Sequence, residues 1–140
     1  MFPTFLLMLR TDGAPRLVGS CGLGERHGEA ELGYWIARPY WGLGFATEAG
    51  RAVIDIAQTI GHSKLVAGHF VDNPASGRVL QKLGFRITGK SEQRRSEGRG
   101  HAVKSVLYEK SLENGCDEAM PATFAPPPTM REHFQRLRAA

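Results

Sequence analysis

Tyr34-Trp35-Ile36-Ala37-Arg38-Pro39-Tyr40-Trp41-Gly42-Leu43-Gly44-Phe45-Ala46-Thr47-Glu48-Ala49 is the stretch on which the fold turns. It continues an alternating run from Glu29, with Leu32, Tyr34 and Ile36 on one side of a strand and Glu29, Glu31 and Trp35 on the other. Beyond it Ala49, Ala52, Val53, Ile56, Ala57 and Ile60 recur at three- and four-residue steps, the spacing of one buried helical face. A strand that feeds a glycine loop that feeds a helix gathers free backbone N–H groups and the positive helix end at one point, where a pyrophosphate fits. Glycine at 42 and 44 lets the backbone come close, because Cβ atoms there would crowd the phosphates. Two glycines before a helix also describe an ordinary tight turn, so the loop alone leaves both readings open.

Working outward, the apolar segments 5–9 and 17–23 flank Thr11-Asp12-Gly13-Ala14-Pro15 and read as a β-hairpin ahead of the strand 29–37. After the first helix Gly61 supplies a stop, and 64–72 reads as another strand. Asn73 suits a helix N-cap, Pro74 the first helical position and Gly84 the position after the end, with Val79, Leu80 and Leu83 as the inward stripe. Two more strands, 85–89 and 103–112, are expected on either side of a charged loop. The fold class is therefore α/β, with the order β-β-β-α-β-α-β-β. Residues 1–112 form the domain, and 113–140 form a tail in which 121–128 is a proline-rich, extended spacer. Thr129 and Glu132 have the spacing of a capping box, so a short amphipathic helix carrying Phe134 and Leu137 is expected after the spacer.

Composition narrows the function. Of the 140 residues 41% are hydrophobic, enough for one core and too few for two ordinary domains. No apolar run approaches the ~20 residues of a membrane-spanning helix, and residues 1–9 lack the basic start of a secretory signal, so a cytoplasmic location without membrane contact is expected. Cys21 and Cys116 show no metal-ligand spacing and read as free thiols, with no metal. A net charge of +4 suits nucleic acid or an anionic small molecule. Arg94, Arg95 and Arg99 are interleaved with Glu92 and Glu97, and the aromatic–basic alternation of a base-stacking surface is missing, which favours the small molecule.

Two further matches decide between a turn and a phosphate site. Gly33-Tyr34-Trp35 with the run from Tyr40 to Ala49 resembles the acetyl-CoA loop of the GNAT superfamily, in particular its ribosomal-protein alanine/serine acetyltransferase-like branch. Asn73-Pro74-Ala75-Ser76 and Leu80-Gln81-Lys82-Leu83-Gly84-Phe85 resemble that family's second motif, in the same order. The resemblance covers roughly residues 5 to 112 and implies a mixed, mostly antiparallel sheet with packed helices. It departs from the pattern at Pro39, where a Gln or Arg often stands, with Arg38 displaced by one position. The branch also usually begins with another strand and two helices, so an N-terminally shortened fold is expected, with apolar surface that the tail or a homodimer partner would cover.

The resemblance implies direct transfer of acetyl from acetyl-CoA, as co-substrate, to a primary amine of a protein N-terminus or a small molecule. An acyl-CoA-binding module without turnover is the alternative. Acetyl-CoA is expected between the strands 29–37 and 64–72, with its pyrophosphate at Leu43, Gly44, Phe45 and Ala46 beside Gly42. By analogy the strand splays at a bulge over Trp35, Ile36 and Ala37, where a backbone N–H meets the thioester oxygen. The amine must be neutral, which is harder for a lysine at about pKa 10.4 than for an α-amine at about 8, so a base helps. Glu31, buried beside Trp35, is the candidate base, with Glu29 behind it; each also reads as a solvent-facing strand carboxylate. Ser76 matches the serine near the CoA sulfur in related enzymes, and Asn73 suits both a helix cap and a cofactor contact. Arg78 and Lys82 could meet CoA phosphates or water. His69 is a further candidate base, Tyr108 reads as packing, and 94–101 reads as a loop that could line the acceptor site.

Overall fold

The alternation and periodicity read above become six strands and two α-helices in the computed structural model, which describes residues 1–96 and 98–113. The order is β1 (Thr4–Leu9), β2 (Arg16–Arg26), β3 (Glu29–Ile36), a short 3-10 turn (Arg38–Tyr40), α1 (Phe45–Thr59), β4 (Lys64–Phe70), α2 (Pro74–Lys82), β5 (Arg86–Ser96) and β6 (His101–Ser111). Among the described residues one sheet runs β1-β2-β3-β4-β6-β5, with β3 and β4 parallel and the other neighbours antiparallel. The expected β-β-β-α-β-α-β-β order and mostly antiparallel sheet are what is observed. The proposed spacer, C-terminal helix and Cys116 lie outside the described residues.

Both helices cover one face. Val53, Ile54 and Ala57 of α1 and Leu80 and Leu83 of the α2 segment pack with Cys21, Leu23, Leu32, Leu65, Ala67, Phe85 and Tyr108 into one apolar cluster. Each aliphatic side chain buried there contributes about 1.5–3 kcal/mol. The α1 stripe is rotated from the sequence reading: Gly50 and Ile54 are buried, whereas Ala52 and Ile60 are exposed. The cause is the crossing with α2, since a Cβ on Gly50 would lie 2.5 Å from Leu83 Cδ1 and glycine lets the helices close at that point. Gly61 and Gly84 follow the helix ends with φ of +91° and +80°, the left-handed stop expected of each.

The segment from 90 to 100 differs from the expected charged loop. β5 continues to Ser96, pairing with β6 from Ser91↔Val106 to Ser96↔His101. Its register slips between Ile87 and Ser91 by two residues relative to β6, with Gly89 at φ +75° and Thr88 Oγ1 donating to the Leu107 carbonyl at 3.0 Å. Such a bulge sharpens the bend of a strand. The bend brings the far half of β5 across the sheet face opposite α1 and α2, where Glu92 meets Arg26 of β2 and Arg94 meets Glu31 of β3. On the same face Leu6, Ser20 and Trp35 form one row across β1, β2 and β3, and Leu6 and Trp35 are exposed among the described residues.

Candidate active site

Strands β3 and β4 meet at Glu31↔Val66 and then part. Into that gap open Glu31, Leu32, Gly33 and Tyr34 from β3, Gly68 and Phe70 from β4, Ser76 from α2, and Arg94 and Ser105 from the β5–β6 hairpin, lining a cleft of about 190 Å³. The backbone of β3 points donors into it. Ala37 N–H donates to the Val18 carbonyl at 2.8 Å, and pairs of an antiparallel ladder alternate between hydrogen-bonded and open, so Trp35 and Gly33 also bond to β2. The intervening N–H groups of Tyr34 and Ile36 therefore face the side that β4 has left. The Ile36 carbonyl on that side is taken by Trp41 Nε1–H at 2.6 Å, which leaves the Ile36 N–H as the donor among Trp35, Ile36 and Ala37. The expected bulge is not what opens this edge: the β2–β3 register runs unbroken from Gly19↔Ile36 to Arg26↔Glu29, and β4 turns away instead.

At the end of the gap the glycine loop enters α1. Gly44 is the N-cap at φ +85°, and without a side chain it offers no cap hydrogen bond. The first intrahelical bond runs from Glu48 N–H to the Gly44 carbonyl at 3.0 Å, so the N–H groups of Phe45, Ala46 and Thr47 have no intrahelical acceptor. Gly42 lies at φ +74°, and a Cβ at either glycine would meet no protein atom within 4 Å. The space beside this backbone is open, as an anion would require. Tyr40 and Phe45 pack edge-to-face at 5.9 Å and hold the loop's two sides together.

The second motif sits across the gap. Asn73 Nδ2–H donates to Ser76 Oγ at 3.0 Å and its Oδ1 accepts from Ser76 N–H at 3.4 Å, so the cap role is realised and the Ser76 hydroxyl is held at the cleft. Tyr34 Oη–H donates to the Ser76 carbonyl at 3.2 Å; burial pushes the phenol up, and the hydrogen bond at Ser76 offsets part of that push. His69 is elsewhere. Its ring lies under α2, where a Cβ on Gly77 would be 2.7 Å from Nε2, and it contacts Tyr108 Oη at 3.4 Å, so it is a packing residue rather than a member of the cleft.

Glu31 does line the cleft, but paired. Arg94 Nη1 and Nη2 donate to its two carboxylate oxygens at 2.6 and 3.0 Å. Glu29 instead faces Lys64 at 3.6 Å, away from that arrangement. Arg94 Nε lies 3.8 Å from Glu92 Oε1, and Glu92 is gripped by Arg26. Burial works against the Glu92 carboxylate, yet the hydrogen bond and charge of Arg26, with His27 and Arg94, outweigh it and hold its carboxyl below the ordinary value. Arg99 stacks over Phe70 at 4.7 Å and pairs with Asp72 at 2.9 Å, closing the hairpin end against β4. Sequence reading missed Arg94, Arg26 and Glu92 as one arrangement; the alternation of Glu92, Arg94 and Ser96 at a period of two was the available signal. Among the described residues no group of three or more His, Cys, Asp or Glu could hold a metal ion.

The sequence profile described as an acetyltransferase (GNAT) domain matches residues 2–86, which include β1 to α2 and both motifs. The chain belongs to the GNAT acetyltransferase family. The chain is 39% identical over 77 residues to the uncharacterized N-acetyltransferase YoaA of Bacillus subtilis, covering 52% of this chain and 44% of that protein. With the uncharacterized N-acetyltransferase p20 of Bacillus licheniformis it shares 32% over 88 residues, 60% of this chain and 48% of that one. The chain thus spans about half the length of the curated relatives it matches. Among solved structures, the ribosomal-protein-S5-alanine acetyltransferase of Vibrio fischeri superposes with a TM-score of 0.61 at 21% identity, over 71% of this chain and 56% of that one. A putative acetyltransferase from Salmonella typhimurium, determined with its cofactor acetyl-CoA, gives 0.60 at 22% identity, over 74% and 64%. At these identities the structures show a shared fold.

Proposed function

We propose that this acetyltransferase moves an acetyl group from acetyl-CoA to a primary amine by direct attack of the amine on the thioester. The observation that carries the reading is the geometry of the gap: an open strand edge with a free Ile36 N–H leads to the unpaired N–H groups of Phe45, Ala46 and Thr47, so one extended thioester with a pyrophosphate at its far end could satisfy both. Support comes from the family match and from the Salmonella protein, whose structure contains acetyl-CoA. In this reading Gly42, Leu43, Gly44, Phe45 and Ala46 receive the pyrophosphate. The Ile36 N–H stabilises the oxygen on which negative charge develops, Trp35 and Ala37 fix its strand on β2, and Asn73 holds the Ser76 hydroxyl where it can hydrogen-bond the departing thiolate. Glu31 takes the proton of the attacking amine once Arg94 has been drawn from it. A cytoplasmic setting fits the buried free thiol of Cys21.

The test is acetyl-CoA binding by calorimetry together with acetyl transfer to a panel of amines, in the parent and in Glu31→Gln. A general base leaves a rate deficit in Glu31→Gln that shrinks as pH rises and neutral amine accumulates. A deficit independent of pH would make Glu31 a packing residue, and acetyl-CoA binding without transfer to any amine would make the chain a binding module.

A further inference from the structure

We infer that the acceptor is a small zwitterion, an amine with an anionic group on the neighbouring carbon as in a free amino acid, taken up between Glu31 and Arg94; this rests on the acetyl-transfer reading above. Four charges alternate across the sheet face opposite α1 and α2: Arg26 on Glu92, Glu92 beside Arg94 at 3.8 Å, and Arg94 on both oxygens of Glu31 at 2.6 and 3.0 Å. The side chains of Arg94 and Glu31 are 21% and 16% exposed, and both line the cleft that Ser76 and Tyr34 also line. The fold makes room for their meeting. A Cβ on Gly68 would stand 3.0 Å from Arg94 Nη1 and 2.9 Å from Ser105 Oγ, so the glycine is what lets a guanidinium from β5 pass over β4 to β3.

A bare ammonium reaching Glu31 would compete with Arg94 for one carboxylate and leave the guanidinium with Glu92 alone, already held by Arg26. Breaking a half-buried pair in that way leaves a poorly compensated charge. A zwitterion enters without that loss: its ammonium takes Glu31, its carboxylate takes Arg94, and the alternation of signs is extended by two members. The same pairing selects against amines that lack the anion, because they leave Arg94 unmatched. Arg94 is then the specificity-determining residue, and the amine lies against Glu31 on the cleft.

The experiment is calorimetric titration of the full chain with the twenty standard amino acids and with the α-carboxamide of each, which keeps the amine and side chain and removes the anion. At least one amino acid is expected to bind, with its amide at least ten-fold weaker. In Arg94→Gln the acid-to-amide ratio should fall toward one. Gly68→Ala, which displaces the guanidinium without removing its charge, should lower the ratio in the same direction. If no amino acid binds, if the amide binds as well as the acid, or if Arg94→Gln weakens both alike, the inference is overturned. Should Arg94→Gln fail to melt cooperatively, the acid-to-amide ratio of the parent protein decides alone. Binding here needs no acetyl-CoA, so failure leaves acetyl transfer to its own assay, whereas amino-acid binding without acetyl-CoA binding would fell the transfer reading instead.

Discussion

Replacing Gly44 by alanine separates the backbone's strain from the ligand's space, because the molecule contains its own control. Gly44 at the start of α1 has φ +85° and Gly61 at its end has φ +91°, and a Cβ at either would meet no protein atom within 4 Å. An L-residue held in the left-handed region costs roughly 1–2 kcal/mol, so each alanine variant should lose that much stability and no more. For a domain of this size that is about 4–8 °C of melting temperature per kcal/mol. The two variants part company at the cofactor: at 44 the new methyl stands where the pyrophosphate is proposed to lie against the N–H groups of 45–47, and at 61 it faces solvent a full helix away. Calorimetric titration with acetyl-CoA should show Gly44→Ala weakened at least ten-fold, about 1.4 kcal/mol, with Gly61→Ala within two-fold of the parent. If both variants melt alike and both bind acetyl-CoA as the parent does, the loop is an ordinary turn and the phosphate site lies elsewhere.

Ser76→Ala should lower turnover more than it weakens acetyl-CoA binding, since a group that aids thiolate departure acts in the transition state; equal turnover in a coupled thiol-release assay would reduce Ser76 to a helix residue. Gly77→Ala should destabilise by about 1–3 kcal/mol in urea unfolding, because its methyl would press on His69 Nε2, and combining it with His69→Ala should recover part of the loss. Burial pushes the Cys21 thiol up from 9.0 to about 11, with a hydrogen bond at Gly22 opposing in part. The folded state then binds the proton more tightly than the unfolded chain, so this stability is whole below pH 9 and is lost as pH climbs toward 11, by up to about 2.7 kcal/mol. Cys21→Ala should flatten that slope in denaturant titrations between pH 8 and 11; an unchanged slope would show that the thiol does not titrate there.

Legibility in the sequence followed the range of the forces involved. The N-cap of Asn73, the left-handed stops at Gly61 and Gly84, and the entry of Gly44 into α1 are decided by neighbours within a few residues, and each stood where the chain was read to place it. The rotation of α1 was not readable, because it is set by Leu83 of another helix fitting against Gly50. His69 has the position along β4 of a candidate base, and only the third dimension shows it roofed by Gly77. The largest gap was the far half of β5. Charged residues at 92, 94, 95 and 97 suggested solvent, whereas the strand there is held by pairing to β6 and by ion pairs reaching across to β2 and β3, partners more than sixty positions away in the chain.

That bent strand divides the molecule by the kind of force that keeps each part in place. β2, β3 and β4 are clamped to α1 and α2 by apolar packing, which salt and acid do little to loosen. Beyond Ser91, β5 contributes Ser96 as its one buried residue, borders β6 alone among the described strands, and grips the rest of the sheet by carboxylate–guanidinium contacts. Amide exchange along β5 should therefore proceed through partial openings that leave the cofactor frame closed, with the onset moved by ionic strength. A wall fastened by charges on one edge strand can be recoded, residue for residue, to greet a different acceptor without disturbing the hydrophobic interior beneath the proposed thioester site.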